Sequence, residues 1–279
     1  MNQKRVLTQV LLLGVLVPGA VHSALGQPAA SVNYEKIALL KWYAASQSSN
    51  AFAVGKVPEG LAFDGANIWV TGHDVGNITK LRAADGANLG KFNVGANPIG
   101  VAFDGTNIWV AVASGVTKLR AADGADLGFF ATGLGSEAVA FDGANIWVVN
   151  GPNANVTKLR AADGANLGTF NVGVSPTGVA FDGANIWVAN GGQHSVTKLH
   201  AADGANLGTF NVGEVPQGLA FDGDNIWVAN GFSNTVTKLR ASDGATLGTF
   251  HTGNAPQGVA FDRANIWVTN SKGSTVSKL

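Results

Sequence analysis

The decapeptide FDGANIWVAN, residues 181–190, recurs with small changes at 63–72, 141–150, 221–230 and 261–270, and more loosely at 103–112. Its Phe-Asp pairs begin at 63, 103, 141, 181, 221 and 261, giving intervals of 40, 38, 40, 40 and 40 residues. The Trp residues at 69, 109, 147, 187, 227 and 267 keep the same beat. A fixed period of this length marks a repeat architecture in which each unit buries apolar surface against its neighbours. Within the decapeptide, Ile186 and Val188 project to one side of a strand and Trp187 to the other, because side chains alternate along extended backbone. Both faces of the strand are therefore apolar, and the sheet that holds it must be covered on both sides.

Each unit supplies four strand-like runs. In the unit that starts at Gly178 they are Gly178–Phe181, Ile186–Ala189, Val196–His200 and Leu207–Val212. Asp182-Gly183 and Asp203-Gly204 provide the positive φ of tight turns, and the β-branched and aromatic residues suit pleated strands. No window long enough for a helix escapes a glycine-containing turn. Four-stranded sheets stacked face to face around an axis cover both faces, so the expected fold is all-β, a six-bladed β-propeller with blades of about 40 residues. Ala51–Gly55 matches a fourth strand and Val276–Leu279 a third. Pairing the N-terminal strand with the C-terminal three strands would close the ring and remove the exposed edges. Residues 51–279 are thus read as the propeller, 27–50 as an N-terminal linker or extension, and 1–26 as a signal peptide. Ile37–Tyr43 in the extension reads either as a worn strand of the propeller or as a short docked helix.

The signal reading rests on Lys4-Arg5, the apolar run Val6–Val17, a break at Pro18-Gly19, and small residues at Ala24 and Gly26 that place cleavage before Gln27. The run is too short to span a bilayer, no later segment is long and apolar enough to do so, and the chain is expected to be exported to the periplasm or the extracellular space. The chain has 18 basic and 18 acidic residues; loss of Lys4 and Arg5 leaves 16 against 18, a net charge of −2. Such a balance gives no reason to expect nucleic acid as a partner. The chain has no Cys, which excludes disulfides, thiolate metal sites and cysteine nucleophiles.

The unit PxGxAFDGxNIWVANxxxxTVTKLRASDG resembles the bacterial YVTN/NHL-like β-propeller repeats, a group with streptogramin-lyase-like and gluconolactonase-like branches. The resemblance covers residues 51–279 and implies the fold; its members include enzymes and binding proteins alike. The Gly-His and Trp-Asp signatures of WD40 repeats are absent. The gluconolactonase-like branch implies a divalent cation near the axis, held by Glu, Asn and Asp.

Two sets of turns follow from this topology. The Asp-Gly-x-Asn and Ala-Asp-Gly-Ala-Asn turns repeat almost unchanged and lack the ligand spacing of calcium loops, so they are read as structural, the Asp and Asn bonding their own backbone. The opposite face carries the variable loops, which on a rigid scaffold are where binding concentrates. There the inter-blade joints are expected to place Glu59, Ile99, Glu137, Thr177, Gln217 and Gln257 at the channel mouth. A second ring is expected from Gly72, Val112, Asn150, Asn190, Asn230 and Asn270. Glu59, Glu137 and Asn190 offer oxygens suited to Ca2+ or another divalent cation, although fourfold repetition of the Asn also fits a structural role at the strand end. Of five histidines, only His73 has an acidic neighbour on a variable loop, Asp74, which makes it the weak candidate for a general base. Lys80, Arg82 and their equivalents are expected to pair locally with Asp64- or Asp85-type residues. Unit two lacks two loop residues, and the following joint, Gly133–Ala138, departs from the Pro-x-Gly pattern. The expected function is non-catalytic binding or scaffolding of a protein, glycan or small molecule through the variable-loop face. A metal-dependent lactonase-like or streptogramin-lyase-like enzyme is the alternative, and a cell-surface assembly repeat a third possibility.

Overall fold

The computed structural model describes residues 51–279; the expected signal peptide (1–26) and extension (27–50) lie outside the described residues. The chain forms six antiparallel sheets in sequence order, the blades of a β-propeller. Blades 1 to 5 have four strands each and blade 6 has three. In blade 4 the strands are Pro176–Phe181, Asn185–Asn190, Ser195–His200 and Asn206–Asn211, close to the sequence reading. The first strand of each blade packs on the first strand of the next, which puts these strands innermost.

The core lies between blades. Trp147, Val149 and Val156 of blade 3 pack against Ile186, Val188, Leu199 and Ala201 of blade 4, and the other interfaces repeat the pattern. The alternation in Ile-Trp-Val is the cause, since it sends Trp to one neighbour and Ile and Val to the other. A fourth-strand Phe covers each Trp of blades 1 to 5, with ring centroids 5.3–5.6 Å apart. That same Phe ring fills the space beside a turn glycine of the next blade, as Phe130 does beside Gly164.

The lysines are not surface ion pairs. Lys158 is buried; its Nζ donates to the carbonyls of Ala201 and Ala202 in the next blade, at 2.6 and 2.9 Å, and stands 5.2 Å from the centre of the Trp147 ring. Lys80, Lys118 and Lys198 do the same at their interfaces. The arginines, and His200 at their position in blade 4, do follow the local pairing expected from sequence, as in Arg160–Asp163 at 2.9 Å. The physical reason is register: Lys158 stands opposite Trp147 across the strand pair and so points into the interface, whereas Arg160 falls at the strand end. Lys158→Met should cost roughly 1–3 kcal/mol, because it strips a charged donor from two carbonyls. Lys238 contacts the Trp227 ring at 4.7 Å and reaches no such carbonyl pair among the described residues, so Lys238→Met should cost clearly less; urea denaturation of the two variants checks the contrast.

The ends differ from the sequence expectation. Blade 6 consists of Pro256–Phe261, Ile266–Asn270 and Thr275–Lys278, and residues 51–54 form no strand on its edge. Instead Phe52 lies beside Gly86 and Gly55 against Gly72, the places that the preceding blade's residues take elsewhere. Trp267 is 38% exposed, where the other five are at most 8% exposed, and Leu61 on blade 1 is 64% exposed. An added Cβ at Gly178 or Gly218 would strike the next blade's inner strand, whereas at Gly258 it meets only Thr269 of its own blade. Blades 1 and 6 therefore do not close on each other through the described residues. Closure depends on the sum of five interface angles, and no single repeat encodes that sum.

Candidate functional site

The variable-loop face is built from the joints upward. In blades 1 and 3 to 6 the residue before the inner strand has a left-handed backbone: Val57, Gly135, Ser175, Val215 and Ala255, with φ between 49 and 59°. Its carbonyl is held by the first amide of the variable loop, as in Gly151 N–H to Gly135 O at 2.9 Å and Gly191 N–H to Ser175 O at 3.0 Å. Loop tips bend back onto the joints. Asn153 Oδ1 accepts from Leu134 N–H at 2.7 Å, Gln193 Oε1 from Val174 N–H at 3.2 Å, and Ser233 Oγ from Glu214 N–H at 2.7 Å. The loops are thus tied to the scaffold, and the side chains of the joints project from a fixed base.

Strand pairing places the start of each inner strand beside the end of the second strand, as in Ser136 opposite Asn150, and so on the variable-loop side. Glu59 and Gln257 are exposed there, while Ile99, Glu137, Thr177 and Gln217 are partly buried. Thr177 Oγ1 donates to the carbonyl of Pro216 at 2.8 Å and so ties blade 4 to blade 5. Glu137 lies over Gly151, where an added Cβ would touch its carboxylate. Burial pushes the Glu137 carboxyl up from its usual range, the charge of Glu59 pushes it further, and His73 partly offsets both. His73 Nδ1 lies 3.1 Å from Asp74 Oδ1 on an exposed loop. Glu59 and His73 of blade 1 thus lie within electrostatic reach of Glu137 in blade 3.

The second expected ring does not join them. Asn150, Asn190, Asn230 and Asn270 are almost wholly buried within their own blades. Asn190 Oδ1 accepts from Gly173 N–H at 2.9 Å, and its Nδ2 donates to Ser195 Oγ at 3.1 Å and Thr197 Oγ1 at 2.9 Å. Asn190 Oδ1, expected among the metal ligands, is thus buried and already accepts the amide of Gly173 on the joint. Among the described residues no group of three or more His, Asp or Glu is gathered to hold a metal ion. Asn270 Oδ1 is buried without a hydrogen-bond partner among the described residues, as are Asn77 Oδ1 and Thr79 Oγ1 in blade 1, where Gly72 takes the Asn position.

The opposite face holds a hub that the sequence reading saw only in part. Asp142 Oδ2 accepts from the indole Nε1 of Trp147 at 2.8 Å, and Oδ1 accepts from the amides of Ala144 and Asn145 at 2.9 and 2.6 Å. The Asn145 side chain adds two further bonds, at 3.2 and 3.1 Å. The turn role of Asp and Asn is as expected, but the reach to Trp five residues on was not foreseen. The signal was the constant interval from Asp to Trp in all six units. A groove of about 310 Å³ between blades 2 and 3 opens on this side, lined by Asp104, Asn107, Lys118 and Phe141. Its Asp104 and Lys118 are committed to Trp109 and to the Ala161 carbonyl.

No family model and no curated protein matches the chain. Solved structures do. A functionally unknown protein from Desulfotomaculum acetoxidans aligns with a TM-score of 0.67 at 16% identity, over 77% of this chain and 78% of its own. The computationally designed Ika8 protein gives 0.67 at 14% identity, over 79% and 70%. Hydrazine synthase from Kuenenia stuttgartiensis gives 0.56 at 12% identity, over 84% and 98%. At such identities the likeness concerns the fold alone. The chain is a six-bladed β-propeller of repeated blades, a fold consistent with binding or scaffolding.

Proposed function

We propose that this chain is an exported, non-catalytic binding protein of the YVTN/NHL-like kind that engages its partner through the variable-loop face. The observation that carries the reading is that the joints and variable loops, where the sequence changes from blade to blade, hold exposed apolar side chains; the exposed Leu89, Leu127, Leu167, Leu207 and Leu247 of the outer strands are instead the same residue in every four-stranded blade. Leu134, Val174 and Phe232 are 63, 50 and 68% exposed, and Val57 and Val75 are also exposed, all on joints or variable loops. The Asp-Gly turns of the other side present only small, polar and charged residues. Large apolar side chains held at the surface by a rigid base mark interaction sites.

Site-specific photo-crosslinking on intact cells tests this. A discrete adduct is expected from probes at residues 134 and 232 and none from residue 207 on the outer rim. Equal yields from all three positions would count against the face. Lactone or depsipeptide turnover that is abolished by chelation would overturn the non-catalytic reading. N-terminal sequencing of the exported protein should begin at Gln27, and an unprocessed cytoplasmic chain would sink the export claim.

A further inference from the structure

Glu137 is a partly buried carboxylate with no hydrogen bond or ion pair among the described residues. Glu59, the charge that acts on it from across the mouth, is equally unpaired. A carboxylate withdrawn from water without a partner is unfavourable, and sixfold repetition does not account for it: blades 4 to 6 place Thr177, Gln217 and Gln257 at this position. Apolar side chains stand on its own joint and on the joints either side. Leu134 precedes it on the same joint, and Val174 occupies the Leu134 position on the next joint, whose inner strand packs beside that of Glu137. Ile99 stands at the equivalent position of the preceding joint. The joints 96–99, 134–137 and 174–177 contain no lysine or arginine; Lys56 on the joint that carries Glu59, and His73 on the loop of the same blade, make no hydrogen bond or ion pair to Glu137 or Glu59 among the described residues. The backbone amides of Leu134 and Val174 are clamped by Asn153 and Gln193, so the platform is formed before anything binds. This is also the joint where Ser136-Glu137-Ala138 replaces the Pro-x-Gly of its neighbours.

We infer that Leu134, Glu137 and Val174, with Glu59 opposite, form a docking surface for a polypeptide segment that presents a lysine or arginine beside an aliphatic side chain. The inference rests on the variable face being the binding face and adds the partner's chemistry. Charge complementarity selects a cation for Glu137, and the exposed Leu134 and Val174 select an aliphatic neighbour. An ammonium or guanidinium group at Glu137 would supply the hydrogen bonds that its carboxylate lacks.

The test uses immobilised full chain and a pool of synthetic hexapeptides in which each residue type is fixed at each position in turn. Retained peptides should be enriched about tenfold in Lys or Arg next to Leu, Ile, Val or Phe. Glu137→Gln should lose the basic preference and keep the apolar one. The double variant Leu134→Ser, Val174→Ser should lose retention altogether, and Leu207→Ser on the outer rim should match the wild type. Each variant is accepted only if its melting curve matches the wild type, and Glu137→Gln removes an unpaired charge from a partly buried place. Retention without basic enrichment, or basic enrichment unchanged in Glu137→Gln, overturns the partner chemistry but leaves the face standing. Retention indifferent to the Leu134, Val174 double variant overturns both, and no retention of any peptide overturns the inference.

Discussion

Gly164→Ala should be among the most damaging single-methyl additions in this protein, with a loss of roughly 3–5 kcal/mol in urea denaturation. Gly164 has φ of 76°, which an L side chain resists. Its added Cβ would also overlap the ring of Phe130. That ring cannot turn aside freely, because it packs on Trp109 at 5.3 Å and belongs to the core between blades 2 and 3. Gly143→Ala separates the two causes. Gly143 has φ of 97° but no atom within 4 Å of the added Cβ, so backbone strain acts alone and the expected loss is about 1 kcal/mol. Equal losses in the two variants would show that the Phe-glycine contact contributes nothing.

The second large effect is expected at Asp142. Asp142→Ala leaves a buried indole N–H, two turn amides and the Asn145 side chain without their common acceptor, and should cost roughly 2–4 kcal/mol at pH 7. The loss should also depend on pH in a defined direction. Burial by itself would raise the Asp142 carboxyl, but hydrogen bonds from Trp147, from the Ala144 and Asn145 amides and from the Asn145 side chain outweigh it and hold the carboxyl below its usual range. A depressed folded-state pKa means that the stabilisation is complete above the unfolded value, about 3.9, and fades as pH falls through the folded one. Asp64, Asp104, Asp182, Asp222 and Asp262 are depressed as well. The wild type should therefore keep its hub contribution from neutrality down to about pH 4 and lose it steeply below. The deficit of Asp142→Ala should shrink over that same acid range. A deficit independent of pH between 7 and 2.5 would refute the carboxylate as the source.

The repeat made most of this architecture legible. Alternation in Ile-Trp-Val implied sheets covered on both faces, and the structure puts Trp147 against one neighbour and Ile146 with Val148 against the other. Asp-Gly dipeptides marked the turns, and their glycines do carry positive φ; the exception is Arg263 in blade 6, which takes φ of 78° where the other blades have glycine. The candidate site was legible only in outline. Placing the joints at the mouth followed from strand order, so Glu59 and Glu137 could be named. Fourfold repetition pointed to a structural role for Asn190, at the end of a second strand, but no pattern in the string showed that Glu137, near the start of a first strand, stays without a partner among the described residues.

By itself the sequence determined whatever depends on local period: strand alternation, turn geometry, blade number and the side on which variation accumulates. These are short-range consequences of backbone sterics and of apolar side chains leaving water, and each repeat states them again. Tertiary structure alone decided what depends on neighbours from different repeats. It sent the lysines to the carbonyls of the next blade and set Glu59 within electrostatic reach of Glu137. Such contacts depend on distances between blades, and those are set by packing summed around the axis and not by any one unit.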